Sequence, residues 1–298
     1  MSAPPAVSVL MPVYNAGRYL ADAVQSILDQ TFADFELIAV DDGSTDSSKA
    51  TLDAFAKRDA RVRVISRPNT GIVGALNDAI AAARGEFLAR MDGDDLSLPA
   101  RFEKQVAYLR EHPDCVLVGT RVIMMDADGC PIGDMRSVAS GHETIDSALM
   151  NGGWPIVHPT VMMRADAVRK VNGYRPGTFP NEDHDLFLRL AEAGRLENLQ
   201  EPLLRYRRHI QSVVFSGRHA VVQQMIDAAR ERRGLGPGPI VHPGGAPPPV
   251  WQQQTEWVWI ALKNGHVATA RKHALGVLRA KPLSKSSWRT MYCALRGR

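Results

Sequence analysis

Glu86-Phe-Leu-Ala-Arg90-Met-Asp92-Gly-Asp94-Asp95 is the stretch on which the reading of this chain turns. Phe87, Leu88, Ala89 and Met91 run together as a short buried strand does, and the run stops at three carboxylates within four residues. Like charges crowded at a strand end repel one another, so a cation is expected among them. Hard oxygen ligands at this density suit Mg2+ or Mn2+, ions that commonly share their coordination with phosphate oxygens. Alone, the stretch reads equally well as an Asp-rich turn into a helix that begins near Ser97-Leu98-Pro99.

The preceding residues weigh the choice. Val7-Ser-Val-Leu-Met11, Phe35-Glu-Leu-Ile-Ala-Val40 and Val62-Arg-Val-Ile65 read as strands, separated by helical stretches over 17–30 and 46–57. A third helix follows Gly71, carrying Leu76, Ile80 and Ala83, and leads into the strand that ends in Asp92. Strand and helix thus alternate four times in succession, which predicts right-handed crossovers and a parallel sheet. Such sheets bind ligands beyond the carboxyl ends of their strands. Pro12-Val-Tyr14-Asn15, Asp41-Asp42-Gly43-Ser44 and Asp92–Asp95 all fall at those ends and are expected to converge.

Downstream, a helix is expected from Pro99 to Glu111 and a strand over Cys115–Gly119. Met125-Asp126-Ala-Asp128-Gly129 reads as a hairpin turn, too poor in ligands for a calcium loop. His158-Pro-Thr-Val-Met-Met163 reads as a strand, and Asn181-Glu182-Asp183-His-Asp185 opens a helix whose apolar stripe is Leu186, Leu190 and Ala193, with Asp185 expected on its surface. Residues 1–233 therefore form the expected main domain, 234–250 a linker rich in Pro and Gly without periodicity, and 251–298 a basic helical extension.

The chain has 298 residues and a net charge of +4. That balance is uneven. Residues 251–298 carry nine Lys/Arg against the single acid Glu256, a net +8, which leaves −4 for the first 250 residues. A nucleic-acid binder is not built this way; the tail is a separate electrostatic object facing an anionic membrane surface or a partner. Its Trp251, Trp257, Trp259 and Trp288, mixed with Lys and Arg, suit an interfacial amphipathic segment, and equally a plain helical hairpin packed on the main domain. No apolar run reaches the roughly 18 residues of a membrane span, and Met1-Ser-Ala-Pro-Pro5 lacks the features of a signal peptide. Cys115, Cys130 and Cys293 are odd in number and far from paired metal spacing, so a cytoplasmic setting is expected, with the tail allowing peripheral attachment at the inner membrane surface.

Val7-Ser-Val-Leu-Met-Pro-Val-Tyr-Asn15, Val40-Asp-Asp-Gly-Ser-Thr-Asp46, Asn69-x-Gly71 with Ala75-Leu-Asn77, Asp92-x-Asp94-Asp95 and Glu182-Asp183 occur in this order. The series, spanning about residues 6–215, resembles the family 2 inverting glycosyltransferases. The resemblance implies an α/β GT-A fold: a Rossmann-like, mostly parallel sheet flanked by helices, here with a C-terminal helical extension. It also implies a hexosyltransferase-type enzyme that moves a sugar from a nucleotide-diphosphate donor, most often a UDP-sugar, to a carbohydrate or glycolipid acceptor, with Mn2+ or Mg2+. Position by position, Pro12, Tyr14 and Asp42 would hold the nucleoside, and Asn69 and Gly71 would touch the donor. Asp92 would contact the ribose and the ion, Asp94 would hold the ion, and Asp183 would be the general base. Tyr206-Arg-Arg-His209-x-x-Ser212 resembles a segment that closes over the donor, making His209 a candidate metal or phosphate contact. Trp154 lies where the family builds its acceptor side.

Each residue also has a plainer reading. Asp41-Asp42-Gly43-Ser44 is an ordinary helix-capping turn, Glu182 and Asp183 are acids favoured at any helix N-terminus, a histidine in a basic run is usually solvated, and tryptophan is usually core. The absence of a Gln-x-x-Arg-Trp box and of membrane spans favours transfer of a single sugar over polymer extrusion. Two other classes compete. A sugar-nucleotide pyrophosphorylase calls for a Gly-rich phosphate loop where Pro12-Val-Tyr-Asn15 stands, and a non-catalytic nucleotide-sugar-binding or scaffold protein would have lost acids that Asp42, Asp92, Asp94 and Asp183 retain.

Overall fold

The first strand, β1 (Val7–Val13), is buried almost throughout, because its β-branched and aliphatic residues are covered on both faces, as in a central parallel strand. It is followed in a computed structural model of the chain by α1 (Leu20–Leu28), β2 (Phe35–Asp41), α2 (Ser48–Arg58), β3 (Val62–Ser66), α3 (Ile72–Ala82) and β4 (Phe87–Arg90). The structure describes residues 3–134, 138–209, 221–238, 240 and 248–298. Then come β5 (Leu96–Ser97), α4 (Arg101–Glu111), β6 (Cys115–Asp126), β7 (Pro131–Asp134), α5 (His142–Met150), β8 (Met162–Arg164), α6 (Ala165–Lys170), α7 (Glu182–Ala191), β9 (Arg195–Arg208) and α8 (Val222–Arg232). The chain ends in α9 (Val250–Lys263), α10 (Val267–Ala280) and α11 (Lys285–Arg296).

Two compact units emerge, one comprising Met1–Arg121, Ser137–Leu204 and Arg218–Pro243, the other Val122–Arg136, Arg205–Gly217 and Gly244–Arg298. In the first, the strand order is β3-β2-β1-β4-β8-β6-β9-β5. β1 pairs in parallel with β2 and β4, and β2 with β3, as the alternation of strands and helices predicts. Beyond β4 the sheet turns antiparallel: Leu88 faces Met163 on β8, and Leu117 on β6 faces the same residue. His158–Thr160, expected as strand, instead forms a 3-10 turn with Pro159 inside it, and only Met162–Arg164 pairs. One core joins Leu10, Ile38 and Val40 of the sheet to Leu76 and Ile80 of α3, Leu186 and Leu190 of α7, and Val222 and Ile226 of α8. α7 is buried on every side from Glu182 to Leu190, polar residues included.

The second unit contains the β6–β7 hairpin, which takes the expected turn at Asp126–Gly129, with Gly129 at φ +82°. Asp126 is its hub. The carboxylate accepts from the backbone N–H of Asp128 and Cys130, both at 2.9 Å, from Lys272 Nζ at 2.6 Å and from His273 Nε2 at 2.9 Å. α9, α10 and α11 pack around the small residues Ala261, Ala270, Ala274 and Ala294 with Val258. Trp257 is buried edge-on to the His273 ring at 5.0 Å, so this tryptophan of the tail is core.

Candidate active site

The loops after β1, β2, β3 and β4 lie together at the carboxyl ends of the strands. Asp42 N–H donates to Val13 O, Asn15 Oδ1 accepts from Thr45 N–H at 2.8 Å, and Gly17 N–H donates to Asp46 at 2.9 Å, so the first two loops are laced to each other. The buried carboxylate of Asp42 holds the third. Its Oδ1 accepts from Thr70 N–H at 3.1 Å and its Oδ2 from Gly71 N–H at 2.8 Å, while Arg67 Nε stands 3.3 Å from Oδ1. Gly43 is required on two counts: it sits at φ +74°, and a Cβ there would lie 2.8 Å from the backbone nitrogen of Asn69. Asp42, Gly43, Asn69 and Gly71, separate in sequence, are thus one object. Pro12 lies opposite Val40 in the sheet, and Tyr14 is exposed beyond the strand end.

The fourth loop carries the acids. Oxygen atoms of Asp92, Asp94 and Asp95 lie within 4.8 Å of one another. Gly93 brings this turn down onto the start of α1, where a Cβ would stand 3.3 Å from Ala16 Cβ. The expected cation is partly supplied by the chain, since the buried Arg90 guanidinium is ion-paired to Asp92. Even so, burial first, and then the charges of Asp94 and Asp183, hold the Asp92 carboxyl above its ordinary range against the pull of Arg90. Three clustered carboxylates, all hard oxygen donors, fit an ion such as Mg2+ or Mn2+.

Asp183 enters this group from α7, and its charge acts on Asp92, on Glu182 and on Tyr174. It stands in the first turn of the helix, where backbone N–H groups lack helical partners, and its Oδ1 accepts from His184 N–H at 2.8 Å. Glu182 is pushed up to about 7 by burial and then by the neighbouring Asp183. The Trp154 ring lies 5.8 Å from that of His184, which places this half-exposed tryptophan at the same helix start. Asp185, expected on the helix surface, is instead buried and paired with Arg189 at 2.5 Å. His209 follows β9 and belongs to the second unit, whereas the acids belong to the first; Ser212, quoted with it, lies outside the described residues.

Sequence reasoning gave no role to Arg67, Arg90 or Tyr174. Tyr174 is buried, shares a hydrogen bond with His158 Nε2 at 2.7 Å, and is held by Asn77, whose amide bridges Tyr174 O at 2.8 Å and Tyr174 N at 3.0 Å. Burial pushes its phenol well up, so it remains neutral. The signal for Arg90 was available: a lone charge inside an apolar strand, two residues before an acid, needs a buried partner.

The model of "Glycosyl transferase family 2" matches residues 8–171. This chain belongs to glycosyl transferase family 2. It is 40% identical over 212 residues to the putative glycosyltransferase EpsE of Bacillus subtilis, covering 70% of this chain and 74% of that one. It is 35% identical over 210 residues to the O-antigen biosynthesis glycosyltransferase WbnJ of Escherichia coli, covering 69% and 81%. Among solved structures, S. aureus TarS 1-349 in complex with UDP-GlcNAc superposes with a TM-score of 0.62 at 17% identity, covering 97% of this chain and 79% of that one. The Pyrobaculum calidifontis mannosyltransferase PcManGT, solved with GDP-Man and Mn2+, gives 0.53 at 18%, covering 99% and 86%. The family 2 chain therefore has the GT-A architecture and is a glycosyltransferase.

Proposed function

We propose that this family 2 enzyme moves a single sugar, with inversion, from a nucleotide-diphosphate sugar to a hydroxyl of a carbohydrate or glycolipid acceptor in the cytoplasm, as a step in polysaccharide or glycolipid assembly. The observation that carries the reading is the cluster of Asp92, Asp94 and Asp95 oxygens beyond the strand ends, near enough to Asp183 on α7 for that residue's charge to act on Asp92. UDP-sugars are the first donors to test, as TarS was solved with UDP-GlcNAc, and GDP-sugars the second. The employment of WbnJ in O-antigen biosynthesis supports the class of pathway.

On this reading Pro12, Tyr14 and the loop clamped by Asp42 hold the nucleoside, with Asn69 at its edge. Asp92 and Asp94, with Asp95 beside them, would hold the divalent ion, which supplies Lewis-acid stabilisation of the departing diphosphate. Asp183 takes the proton from the acceptor hydroxyl as that oxygen attacks the anomeric carbon on the face opposite the leaving group. Its position in the first turn of α7 sets that carboxylate beside backbone N–H groups that lack helical partners. Glu182, raised toward neutrality, presents less competing charge beside it. Trp154 offers an apolar ring face to an acceptor sugar.

Thermal-shift screening of UDP- and GDP-sugars with Mn2+ identifies the donor. Asp183→Asn then lowers transfer by roughly 10²–10⁴-fold with donor affinity nearly intact. Turnover at the wild-type rate would remove the base assignment.

A further inference from the structure

Helix α11 buries the wrong residues for a helix that only completes a bundle. Ser287, Thr290 and Ala294 face inward, while Trp288, Tyr292 and Leu295 are 58%, 57% and 57% exposed. Spacings of four and three residues put these large side chains in one stripe, within about 60° of arc on an ideal helix. Lys285, Arg289 and Arg296 continue the same exposed arc, and Leu283, 96% exposed, stands just before it.

The stripe is a fixed surface. Trp288 Nε1–H donates to Pro282 O at 2.8 Å, Arg296 donates to Tyr292 Oη at 2.6 Å, and Arg271 caps the last turn by donating to Ala294 O and Leu295 O. The surrounding segment, residues 251–298, carries a net +8. No helix among the described residues is long and apolar enough to cross a membrane.

We propose that α11 is a peripheral docking surface for an anionic phospholipid bilayer. Trp288, Tyr292 and Leu295 enter the boundary between headgroups and acyl chains, and Lys285, Arg289 and Arg296 meet lipid phosphates. Charge selects this occupant over a second copy of the chain, which would bring another +8 against the first. The proposal is independent of the transfer reading, since its readout is lipid partitioning without nucleotide.

The test is flotation of the full chain with phosphatidylcholine vesicles, with and without phosphatidylglycerol. Binding is expected only to the anionic vesicles and should weaken as salt rises. W288S/L295S and, separately, K285A/R289A should each lower partitioning by roughly tenfold or more, with the unfolding temperature unchanged. A vesicle-induced blue shift of tryptophan emission should vanish in W288F. Absence of binding by the full chain, or undiminished binding by W288S/L295S, would overturn the proposal. So would a concentration-dependent dimer that the same pair of substitutions dissolves, because a second copy would then cover the stripe.

Discussion

Replacing Asp42 by asparagine tests whether the donor loop is held by a carboxylate in particular. Asp42 accepts two hydrogen bonds, from Thr70 N–H at Oδ1 and from Gly71 N–H at Oδ2, and is ion-paired to Arg67 on the Oδ1 side. Asparagine keeps one oxygen and turns two hydrogens toward whatever faced the other. With its amide nitrogen at the Oδ2 position, Gly71 N–H confronts a donor; with the nitrogen at Oδ1, both Thr70 and Arg67 do. The cheaper orientation still forfeits one hydrogen bond to a charged group, worth roughly 1.5–3 kcal/mol. Taking about 2 kcal/mol as the share that falls on the ordered loop, nucleotide affinity drops roughly 30-fold. Isothermal titration with UDP and with GDP, in Mn2+, reads this directly, and circular dichroism verifies that the fold persists. If Asp42→Asn binds the cognate nucleotide within twofold of wild type, the clamp does not set the donor site and the argument fails.

Asp94→Ala should abolish the Mn2+ dependence of nucleotide binding, because it removes one of three clustered oxygen donors; titrations with and without Mn2+ that still diverge as in wild type would refute this. Glu36→Gln should lower stability at neutral pH by about 2 kcal/mol, a figure discounted because Arg63 and Arg84 are partly exposed. Although burial alone would raise the Glu36 carboxyl, Arg84, Arg63 and Ser8 hold it at about 2, so the contribution is present above the ordinary value of 4.5 and disappears as pH falls from there toward 2. Urea melts of the two proteins should therefore converge in acid, and a gap that widens there would contradict the pairing. Asp126→Asn, which removes the carboxylate facing His273 and one of the two facing the partly exposed Lys272, should destabilise the second unit by about 1–2 kcal/mol, seen as accelerated amide exchange in α10; unchanged exchange would show the hub to be dispensable.

The parallel half of the sheet was legible because each strand is a short, mostly apolar run and an Asp, Asn or Gly follows within three residues of its end. The antiparallel half was not. Met162–Arg164 pairs with β4 across more than seventy residues of chain, and three residues carry no period of their own. The site divides the same way. Asp42, Asp92, Asp94 and Asp183 announce themselves as acids at strand ends and at a helix start, whereas Arg90 and Tyr174 are buried and sit among core residues in sequence. Asp185 was misread because charge suggests surface, and α7 is buried on the side where Arg189 waits one turn on. In the tail, periodicity predicted helices but not which tryptophan faces inward: a core of alanines leaves room for Trp257 and turns Trp288 outward.

The four laced loops all arise before residue 96, whereas Asp183 and Trp154 arrive only after β6. On the proposed function, a chain so arranged keeps its two recognition tasks in consecutive blocks of gene. Recombination behind α4 would then replace the half assigned to the acceptor and leave the half assigned to the nucleotide untouched, a short route to new glycans.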